Sequence, residues 1–321
     1  MIKEIGGYFE LENFTNNEYY KDLLPLNSGR NALLYLMKAK YIKKIYIPYY
    51  LCDSISSMLK MYGYDYDFYK IDSDFLPIFN EKLKTDEYLY IVNYYAQISN
   101  ERIIQLKRKY KNIILDNTHA FFQEPINGVD TVYNCRKFFG VPDGAYLSTN
   151  VKINNKLEVD VSKERMTHLL GRYEGLASEY YTVFQNNEKL FETLPLKLMS
   201  KLTHNILGAI DYEKVREIRN GNYYYLDNEL GKYNKIRLYT PNGAFAYPFY
   251  IENGTEIRKK LVNSKIYVPT LWPNVLNNTL KDSIEYKYAA NILPLPCDQR
   301  YNLNDMEYIV EEIKKIATMQ D

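Results

Sequence analysis

Three short segments in the first half of the chain carry residue types that could bind and activate a ligand. The first is Asn27-Ser28-Gly29-Arg30, which stands directly before an apolar stretch. A glycine in the first turn of a helix lets the backbone approach a ligand, and the free N–H groups of that turn favour a phosphate. The guanidinium of Arg30 would add positive charge. The segment therefore indicates a phosphate site, although an ordinary capped helix start has the same sequence.

The second segment places a carboxylate and an imidazole three residues apart. Asp116 ends the apolar run 113–115, and His119 follows it. The pair could bind a metal, but two ligands without a third at matching spacing make a poor site, so we predict none. Alternatively, the carboxylate could hold a protonated ring nitrogen of a heteroaromatic cofactor, with the imidazole against the ring. In the simplest interpretation, Asp116 caps the next turn and His119 is an ordinary buried histidine.

The third segment carries a lysine with unusual neighbours. Lys137 follows a predicted strand, Arg136 precedes it, and Phe138-Phe139-Gly140 come after it. Desolvation and a neighbouring positive charge both lower the pKa of a lysine, and Schiff-base formation needs the neutral amine. The alternative is a solvated surface lysine. The aromatic flank favours a buried turn over a charged surface.

The elements that must position these segments alternate between strand and helix. After Asn27 and Ser28, apolar residues at helical spacing (Ala32, Leu33, Leu36 and Met37) predict a capped helix. Predicted strands are Ile45–Pro48, Tyr66–Ile71, Tyr88–Tyr94, Ile113–Leu115 and Thr131–Tyr133, and predicted helices between them are Ser54–Met61 and Glu101–Tyr110. This order predicts an α/β domain with a mainly parallel sheet and ligands at the carboxyl ends of its strands.

The second half of the chain has a different pattern. Long helical patterns run from 161 to 207 with little strand signal. Beyond them we predict helices Tyr212–Leu230, Glu256–Val262 and Asp305–Ile316, and strands Lys235–Tyr239 and Ala244–Ile251 around the turn Pro241-Asn242-Gly243. The sequence therefore predicts a large domain over 1–205, including an N-terminal arm, and a smaller α+β domain over 206–321.

The composition excludes several classes of protein. The 321 residues include 41 Lys and Arg against 40 Asp and Glu, a net charge of +1 that disfavours nucleic acid as the main partner. No apolar run approaches the roughly 18 residues of a membrane helix. Cys52, Cys135 and Cys297 form neither a disulfide framework nor a zinc spacing, and the opening residues 1–8 lack the pattern of a secretory signal. We therefore expect a cytoplasmic protein.

Taken in order, the three segments resemble the large domain of pyridoxal-phosphate enzymes of fold type I. Within that fold the chain is most similar to the DegT/DnrJ family of nucleotide-sugar aminotransferases. The resemblance extends over most of the chain and includes Ile47–Cys52, Val92–Tyr95, Ile266–Pro273 and Leu293–Tyr301. It implies a three-layer αβα large domain with a mainly parallel sheet, a smaller α+β domain at the C-terminus, and pyridoxal 5′-phosphate as the cofactor.

The resemblance also implies a role for each candidate residue. Lys137 would form the Schiff base with the cofactor and then act as general base and acid. Asp116 would pair with the pyridinium nitrogen, and His119 and Cys52 would lie against the two faces of the ring. Ser28, Gly29 and Arg30 would hold the phosphate, helped by Asn134, which stands where many such enzymes have a serine.

The implied activity is transfer of an amino group from an amino acid to a keto-sugar nucleotide in surface-polysaccharide synthesis, by a homodimer. One alternative keeps the cofactor but dehydrates the sugar. It is disfavoured because the family's dehydrases typically have histidine in place of Lys137. Another alternative is a catalytically silent relative that binds a sugar nucleotide or a partner enzyme without cofactor. An unrelated nucleotide-binding enzyme is disfavoured because no G-x-G-x-x-G or P-loop pattern is present.

Overall fold

A computed structural model describes residues 5–15 and 17–318 of the chain; residues 1–4, part of the opening segment considered above, lie outside these ranges. Its main feature is an eight-stranded sheet in the order β1-β8-β7-β6-β5-β2-β3-β4. The strands are β1 (Leu24–Leu26), β2 (Lys44–Pro48), β3 (Asp65–Ile71), β4 (Pro77–Ile78), β5 (Glu87–Val92), β6 (Ile113–Asp116), β7 (Asp130–Asn134) and β8 (Ala145–Ser148). The five strands β7, β6, β5, β2 and β3 pair in parallel, which confirms the predicted sheet.

The edges of this sheet were not predicted. Strands β1, β8 and β4 pair antiparallel to their neighbours. Between β7 and β8 the chain turns back through Gly144, whose φ of +114° favours glycine. Lys137 therefore lies in a connection between two antiparallel strands, directly beyond the carboxyl end of β7.

The helices pack around the sheet and extend into the second half of the chain. They are α1 (Gly29–Ala39), α2 (Asp53–Met61), α3 (Asn100–Tyr110), α4 (Thr167–Glu174), α5 (Tyr181–Leu190), α6 (Lys201–Gly208), α7 (Tyr212–Leu230), α8 (Gly254–Asn263), α9 (Pro273–Asn278), α10 (Ile284–Asn291) and α11 (Leu303–Ile316). Helix α1 is the predicted capped helix after Ser28, and α2 and α3 match the predicted helices Ser54–Met61 and Glu101–Tyr110 to within one residue at either end. Ser28 and Ser99 begin α1 and α3 by accepting hydrogen bonds from backbone N–H groups three residues on. No helix in the described part of the chain is both long and apolar enough to cross a membrane.

A second, two-stranded sheet lies in the C-terminal part. Strands β9 (Tyr247–Tyr250) and β10 (Ile292–Leu295) pair antiparallel, and their apolar residues share a core with α7, α8 and α11. The predicted strand Lys235–Tyr239 is wrong, because this segment is irregular. The backbone N–H and C=O of Tyr239 bond instead to the side chain of Gln97, at 2.7 and 2.9 Å, so they are satisfied without a neighbouring strand.

The region between the two sheets is divided into the short helices α4, α5 and α6, not one long helical array. Residue 205, where the sequence placed the domain boundary, lies inside α6. Leu207 of that helix shares a core with Tyr20 and Phe121 of the large sheet's loops. The division into domains at 205 stays a prediction.

Candidate active site

The parallel strands bring the predicted site residues to one edge of the sheet. Asp116 ends β6, Asn134 ends β7, and Cys52 follows β2 as the residue before α2. The carboxyl ends of parallel strands lie at the same edge, and α1 begins beside β7. The three segments that the sequence singled out therefore lie at this one edge of the sheet, and we call the space they border the crevice.

The start of α1 and the end of β7 form the first end of this crevice. A Cβ built on Gly29 would lie 3.5 Å from Asn134 Nδ2 and 3.6 Å from Val132 Cγ1, which is van der Waals contact, so the start of α1 packs directly against the end of β7. Ser28 Oγ accepts from the N–H of Asn31 at 3.2 Å. Asn134 Oδ1 accepts from the N–H of Arg136 at 3.1 Å, which leaves its Nδ2 as a donor toward the first turn of α1.

Two arginines, Arg30 and Arg136, lie at this end of the crevice. Arg30 has no hydrogen-bond acceptor among the described residues; burial lowers its pKa, and the nearby side chains of Cys52 and Glu192 oppose that effect. Arg136 is already paired, because it forms an ion pair with Glu188 of α5 and lies 3.7 Å from the ring centre of Phe191. Arg30 is thus the guanidinium at this end that could take an anionic ligand.

Asp116 forms the base of the second, deeper end. Its Oδ2 accepts from the hydroxyl of Tyr90 at 2.8 Å and its Oδ1 from the N–H of Thr118 at 2.8 Å. Burial raises the pKa of Asp116, while the hydrogen bonds from Thr118 and Tyr90 and the charge of Lys137 act against the rise. The carboxylate is held in one orientation and influenced by Lys137.

His119 is enclosed by aromatic rings. Its imidazole stacks on Phe245 with ring centres 4.1 Å apart and planes 5° apart, and Trp272 lies 5.9 Å away. Burial and the charge of Lys137 lower the pKa of His119 to about 3, so the ring is neutral at physiological pH. Its Nδ1 is buried and has no hydrogen-bond partner in the described chain. One face of the ring is covered by Phe245, which the sequence did not indicate.

Lys137 differs from the expectation in one respect. Phe138 and Phe139 are buried as predicted, but Lys137 itself is exposed, so the expected desolvation of its amine is wrong for this structure. The two phenylalanines turn into the aromatic core around Phe121, whereas Lys137 ends a one-turn helix outside it. Its positive charge nevertheless acts to lower the pKa of both Asp116 and His119, so Lys137 lies near both groups.

Among the described residues, 5–15 and 17–318, no three His, Cys, Asp or Glu side chains are grouped in a way that could hold a metal ion. The simplest of the three interpretations has its contacts in the structure, because Asp116 Oδ1 caps the next turn through the N–H of Thr118 and His119 is buried.

A clamp from the C-terminal part fixes the backbone beside Lys137, and sequence reasoning missed it. Arg219 of α7 is fully buried and donates to the carbonyl oxygens of Phe138 (3.0 Å) and Ala244 (2.7 Å). It also donates to Gln299 Oε1 at 2.8 Å, while Gln299 Nε2 donates to the Phe138 carbonyl at 2.8 Å. The clamp thus holds the residues directly after Lys137 and directly before Phe245. The sequence did indicate that Arg219 faces the core, because it falls on the apolar stripe of α7, four residues after Val215.

Comparison with known proteins identifies the fold. No protein-family model matches the chain, and no curated protein sequence matches it. Solved structures do match over nearly the whole chain. A DegT DnrJ EryC1 StrS aminotransferase from Brucella abortus is 14% identical with a TM-score of 0.61, covering 91% of this chain and 85% of that one.

Two further structures agree with it. PseC of Helicobacter pylori, an aminotransferase involved in the biosynthesis of pseudoaminic acid, is 17% identical with a TM-score of 0.59 and covers 92% of this chain and 86% of its own. NtdA of Bacillus subtilis, solved with bound cofactor PMP, is 13% identical with a TM-score of 0.64 and covers 94% and 74%. At these identities the likeness establishes the fold, and the predicted fold type I architecture is confirmed.

Proposed function

We propose that the chain is a pyridoxal-phosphate-dependent aminotransferase of the DegT/DnrJ type, which moves an amino group from an amino acid to a keto-sugar nucleotide. The observation that carries the proposal is the meeting of Lys137, Asp116 and His119 with the N-terminus of α1 at one sheet edge. The same fold occurs in aminotransferases, one of them involved in the biosynthesis of pseudoaminic acid, and in NtdA, which was solved with bound cofactor PMP. Fold alone does not decide function, so the proposal depends on the site.

The residues of the crevice fit the cofactor at both ends. A phosphate needs N–H donors and positive charge; the first turn of α1 and Asn134 Nδ2 offer the donors, and Arg30 offers the charge. A ring nitrogen needs an anionic acceptor, and Asp116 is a buried carboxylate oriented by Tyr90 and Thr118. Cys52 lies close enough to Arg30 to influence its pKa, so it borders the same crevice.

In this proposal each residue has a defined task. When bound, pyridoxal phosphate supplies the electron sink that lets an amino group pass from one substrate to the other. Asp116 accepts a hydrogen bond from the ring nitrogen and favours its protonated form. Lys137 Nζ would hold the cofactor through a covalent bond that the substrate amine displaces, and the freed lysine amine would then take a proton from the substrate carbon and return it. Ser28, Gly29, Arg30 and Asn134 hold the phosphate.

Removing the lysine amine tests the proposal. The full-length protein supplied with pyridoxal phosphate should show visible absorption, and Lys137→Ala should lose both that absorption and turnover. Lys163→Ala is the matched control, because Lys163 is an exposed lysine outside the crevice. Absorption and turnover that persist in Lys137→Ala would show the assignment to be wrong.

One observation favours a second candidate, a silent relative that binds a sugar nucleotide or a partner without cofactor. Phe245 already covers one face of His119 at 4.1 Å, where the resemblance implies contact with a cofactor ring. A purified protein that stays colourless and takes up no pyridoxal phosphate on dialysis against it would support this candidate.

We further propose a homodimer. Helices α4 and α5 and the loop between them leave large apolar side chains exposed, namely Leu170, Tyr173, Leu176, Tyr181 and Leu190. Exposed apolar patches of this kind mark interaction surfaces. Glu188 of α5 pairs with Arg136, so this surface adjoins the candidate site.

Light scattering tests the dimer. The wild-type protein should have twice the chain mass of 38.1 kDa, and a Tyr173→Glu, Leu176→Glu variant should approach the single-chain mass. A wild-type protein that elutes as one chain contradicts the proposal. We also place the protein in the cytoplasm, which its three free cysteines support.

A further inference from the structure

Three charged side chains, Asp143, Asp160 and Arg165, are buried together outside the residues assigned so far, and we call them the buried ion cluster. They are 0%, 8% and 7% exposed. Arg165 Nη2 lies 2.8 Å from Asp160 Oδ2 and 3.7 Å from Asp143 Oδ2. No other cation of the described residues forms an ion pair with either carboxylate, so one guanidinium serves both.

Asp143 joins the buried ion cluster to the connection that carries Lys137. Both residues lie between β7 and β8. Asp143 Oδ2 accepts from the N–H of Ser200 at 3.0 Å, and its Oδ1 accepts from the hydroxyls of Ser200, at 2.8 Å, and Thr203. Burial raises the pKa of Asp143, and these hydrogen bonds and the charge of Arg165 oppose the rise. The far end of the connection is therefore held against the start of α6.

Asp160 joins the buried ion cluster to the start of α1. Its Oδ2, which accepts from Arg165, also accepts from Asn27 Nδ2 at 3.1 Å. Asn27 is fully buried, and its Oδ1 accepts at 2.8 Å from Nδ2 of Asn31, in the first turn of α1. The helix start that offers donors to a phosphate is thus bonded, through one side chain, to the cluster.

The two segments held by the cluster also touch each other. The backbone oxygen of Asn27 accepts from the N–H of Gly144, directly after Asp143, at 3.0 Å. A Cβ built on Gly144 would lie 2.9 Å from Thr203 Cγ2, so this part of the connection packs tightly against α6. The start of α1 and the connection that carries Lys137 therefore have one common support, of which the buried ion cluster is the charged part.

The energetics of buried charges indicate a role for the cluster other than stability. The free energy of taking charges out of water can exceed their mutual attraction, so apolar side chains in their place often give equal or greater stability. Charged hydrogen bonds differ from apolar contacts in fixing distance and direction. A ligand site needs such support, because its groups must be held to within about 0.5 Å of their working positions.

We propose that the buried ion cluster sets the spacing between the phosphate donors at the start of α1 and the amine of Lys137, to match the length of pyridoxal phosphate. The inference rests on the proposed function, which supplies the identity of this ligand. The cofactor must reach both ends of the crevice at once, with its phosphate at one end and its aldehyde at the other. Asp143, Asp160 and Arg165 touch neither end, so they are positioning residues.

Ligands of different reach separate positioning from folding. Pyridoxal 5′-phosphate needs both ends of the crevice, pyridoxal needs only the Lys137 end, and inorganic phosphate needs only the α1 end. In the full-length protein, the double variant Asp160→Leu, Arg165→Met replaces the ion pair with apolar side chains, so the free energy of unfolding should change little.

The expected result is a loss confined to the ligand that spans the crevice. In the double variant the dissociation constant of pyridoxal 5′-phosphate should rise roughly tenfold to 100-fold, because its two ends no longer engage together. The constants of pyridoxal and inorganic phosphate should change less than about twofold. Absorbance titrations give the first two constants, and competition of inorganic phosphate against pyridoxal 5′-phosphate gives the third.

The same two elements supply a matched control. Lys40, directly after α1, pairs at 2.9 Å with Asp130 at the start of β7, and both side chains are largely buried. These are the ends of α1 and β7 away from the crevice, so Lys40→Met, Asp130→Leu should leave all three constants within about twofold of the wild type. If Asp160→Leu, Arg165→Met does not fold by circular dichroism, Asp160→Asn, which keeps the shape and removes the charge, decides the question in its place.

Several results would overturn the inference. Equal rises for all three ligands would reduce the cluster to a structural role, and an unchanged constant for pyridoxal 5′-phosphate would remove the role altogether. A wild-type protein that binds no pyridoxal 5′-phosphate would overturn the inference and the proposed function together. Cluster-dependent binding in a protein that transfers no amino group would retain the inference and reject the function. Amino transfer with cofactor binding indifferent to the cluster would do the reverse.

Discussion

At the α1 end of the crevice, the donors come from two short stretches of sequence, whereas the groups at the Asp116 end come from three separate parts of the chain. Ser28, Gly29 and Arg30 are consecutive, and Asn134 approaches them at the end of β7. Asp116 bonds to Tyr90, and His119, three residues after Asp116, stacks on Phe245. The first end is partly open and its free donors can meet solvent. The second is closed and leaves buried groups unpaired.

The two ends differ in the free-energy cost of their unpaired polar groups. An unpaired N–H at a helix start can bond to water where water reaches it. The α1 end without a bound anion is therefore destabilised very little. A buried hydroxyl or guanidinium without a partner costs about 1–3 kcal/mol or more. The deep end therefore needs the surrounding packing, including the Arg219 clamp, to hold it in place.

The strongest test of this comparison removes the charge at the deep end. Asp116→Asn should lower turnover by about 100- to 1000-fold, because an amide cannot stabilise a protonated ring nitrogen as an anion does. The measurement is the rate of amino transfer with saturating donor. Tyr90→Phe is the companion variant: it keeps the carboxylate and removes one hydrogen bond, so a loss of about tenfold is expected. Wild-type turnover in Asp116→Asn would remove Asp116 from the site.

The next test removes the clamp that supports the deep end. Arg219→Met should lower the free energy of unfolding by about 3 kcal/mol, since the carbonyl oxygens of Phe138 and Ala244 lose their shared donor. Urea denaturation measures this change. Arg216→Met on the same helix is the matched control, and it should cost less than about 1 kcal/mol because its ion pair with Glu213 is near the surface. Equal losses in the two variants would contradict a special role for Arg219.

A third test uses pH. The pKa of His119 in the folded protein is about 3, below its ordinary value of 6.5, so the unfolded chain binds the proton first as pH falls. His119 therefore makes folding less stable below pH 6.5, by about 2 kcal/mol between pH 6.5 and 5.0. Unfolding free energies at the two pH values should differ by that amount more in the wild type than in His119→Gln. Parallel pH profiles would show that His119 is not buried as a neutral ring.

The smallest effect is expected at the α1 end. Asn134→Ala should weaken pyridoxal phosphate binding about tenfold, because one donor to the phosphate is lost while the helix start remains. An absorbance titration measures the dissociation constant. Asn134→Ser should recover much of the affinity, since a hydroxyl can also donate a hydrogen bond and can accept from the N–H of Arg136. An unchanged dissociation constant in Asn134→Ala would exclude this side chain from the phosphate site.

Local sequence patterns predicted the elements that depend on local rules. The apolar spacing and the cap at Ser28 gave α1, and the alternation of strand and helix gave the parallel sheet. The antiparallel strand β8 was missed because its four residues carry no distinctive pattern. The predicted strand Lys235–Tyr239 failed because its backbone groups find side-chain partners such as Gln97, which lies 142 positions away from Tyr239.

The sequence by itself determined that Ser28 lies at a helix start, that Asp116 lies at a strand end and that Lys137 follows a strand, because capping and strand periodicity act over a few residues. Only the tertiary structure decided that Lys137 is exposed, that Phe245 stacks on His119 and that Arg258 is buried. Burial and charge partners depend on which distant segments pack together, and no short pattern contains that information. The α1 end could therefore be proposed from the sequence, whereas the deep end with its unpaired groups required the fold.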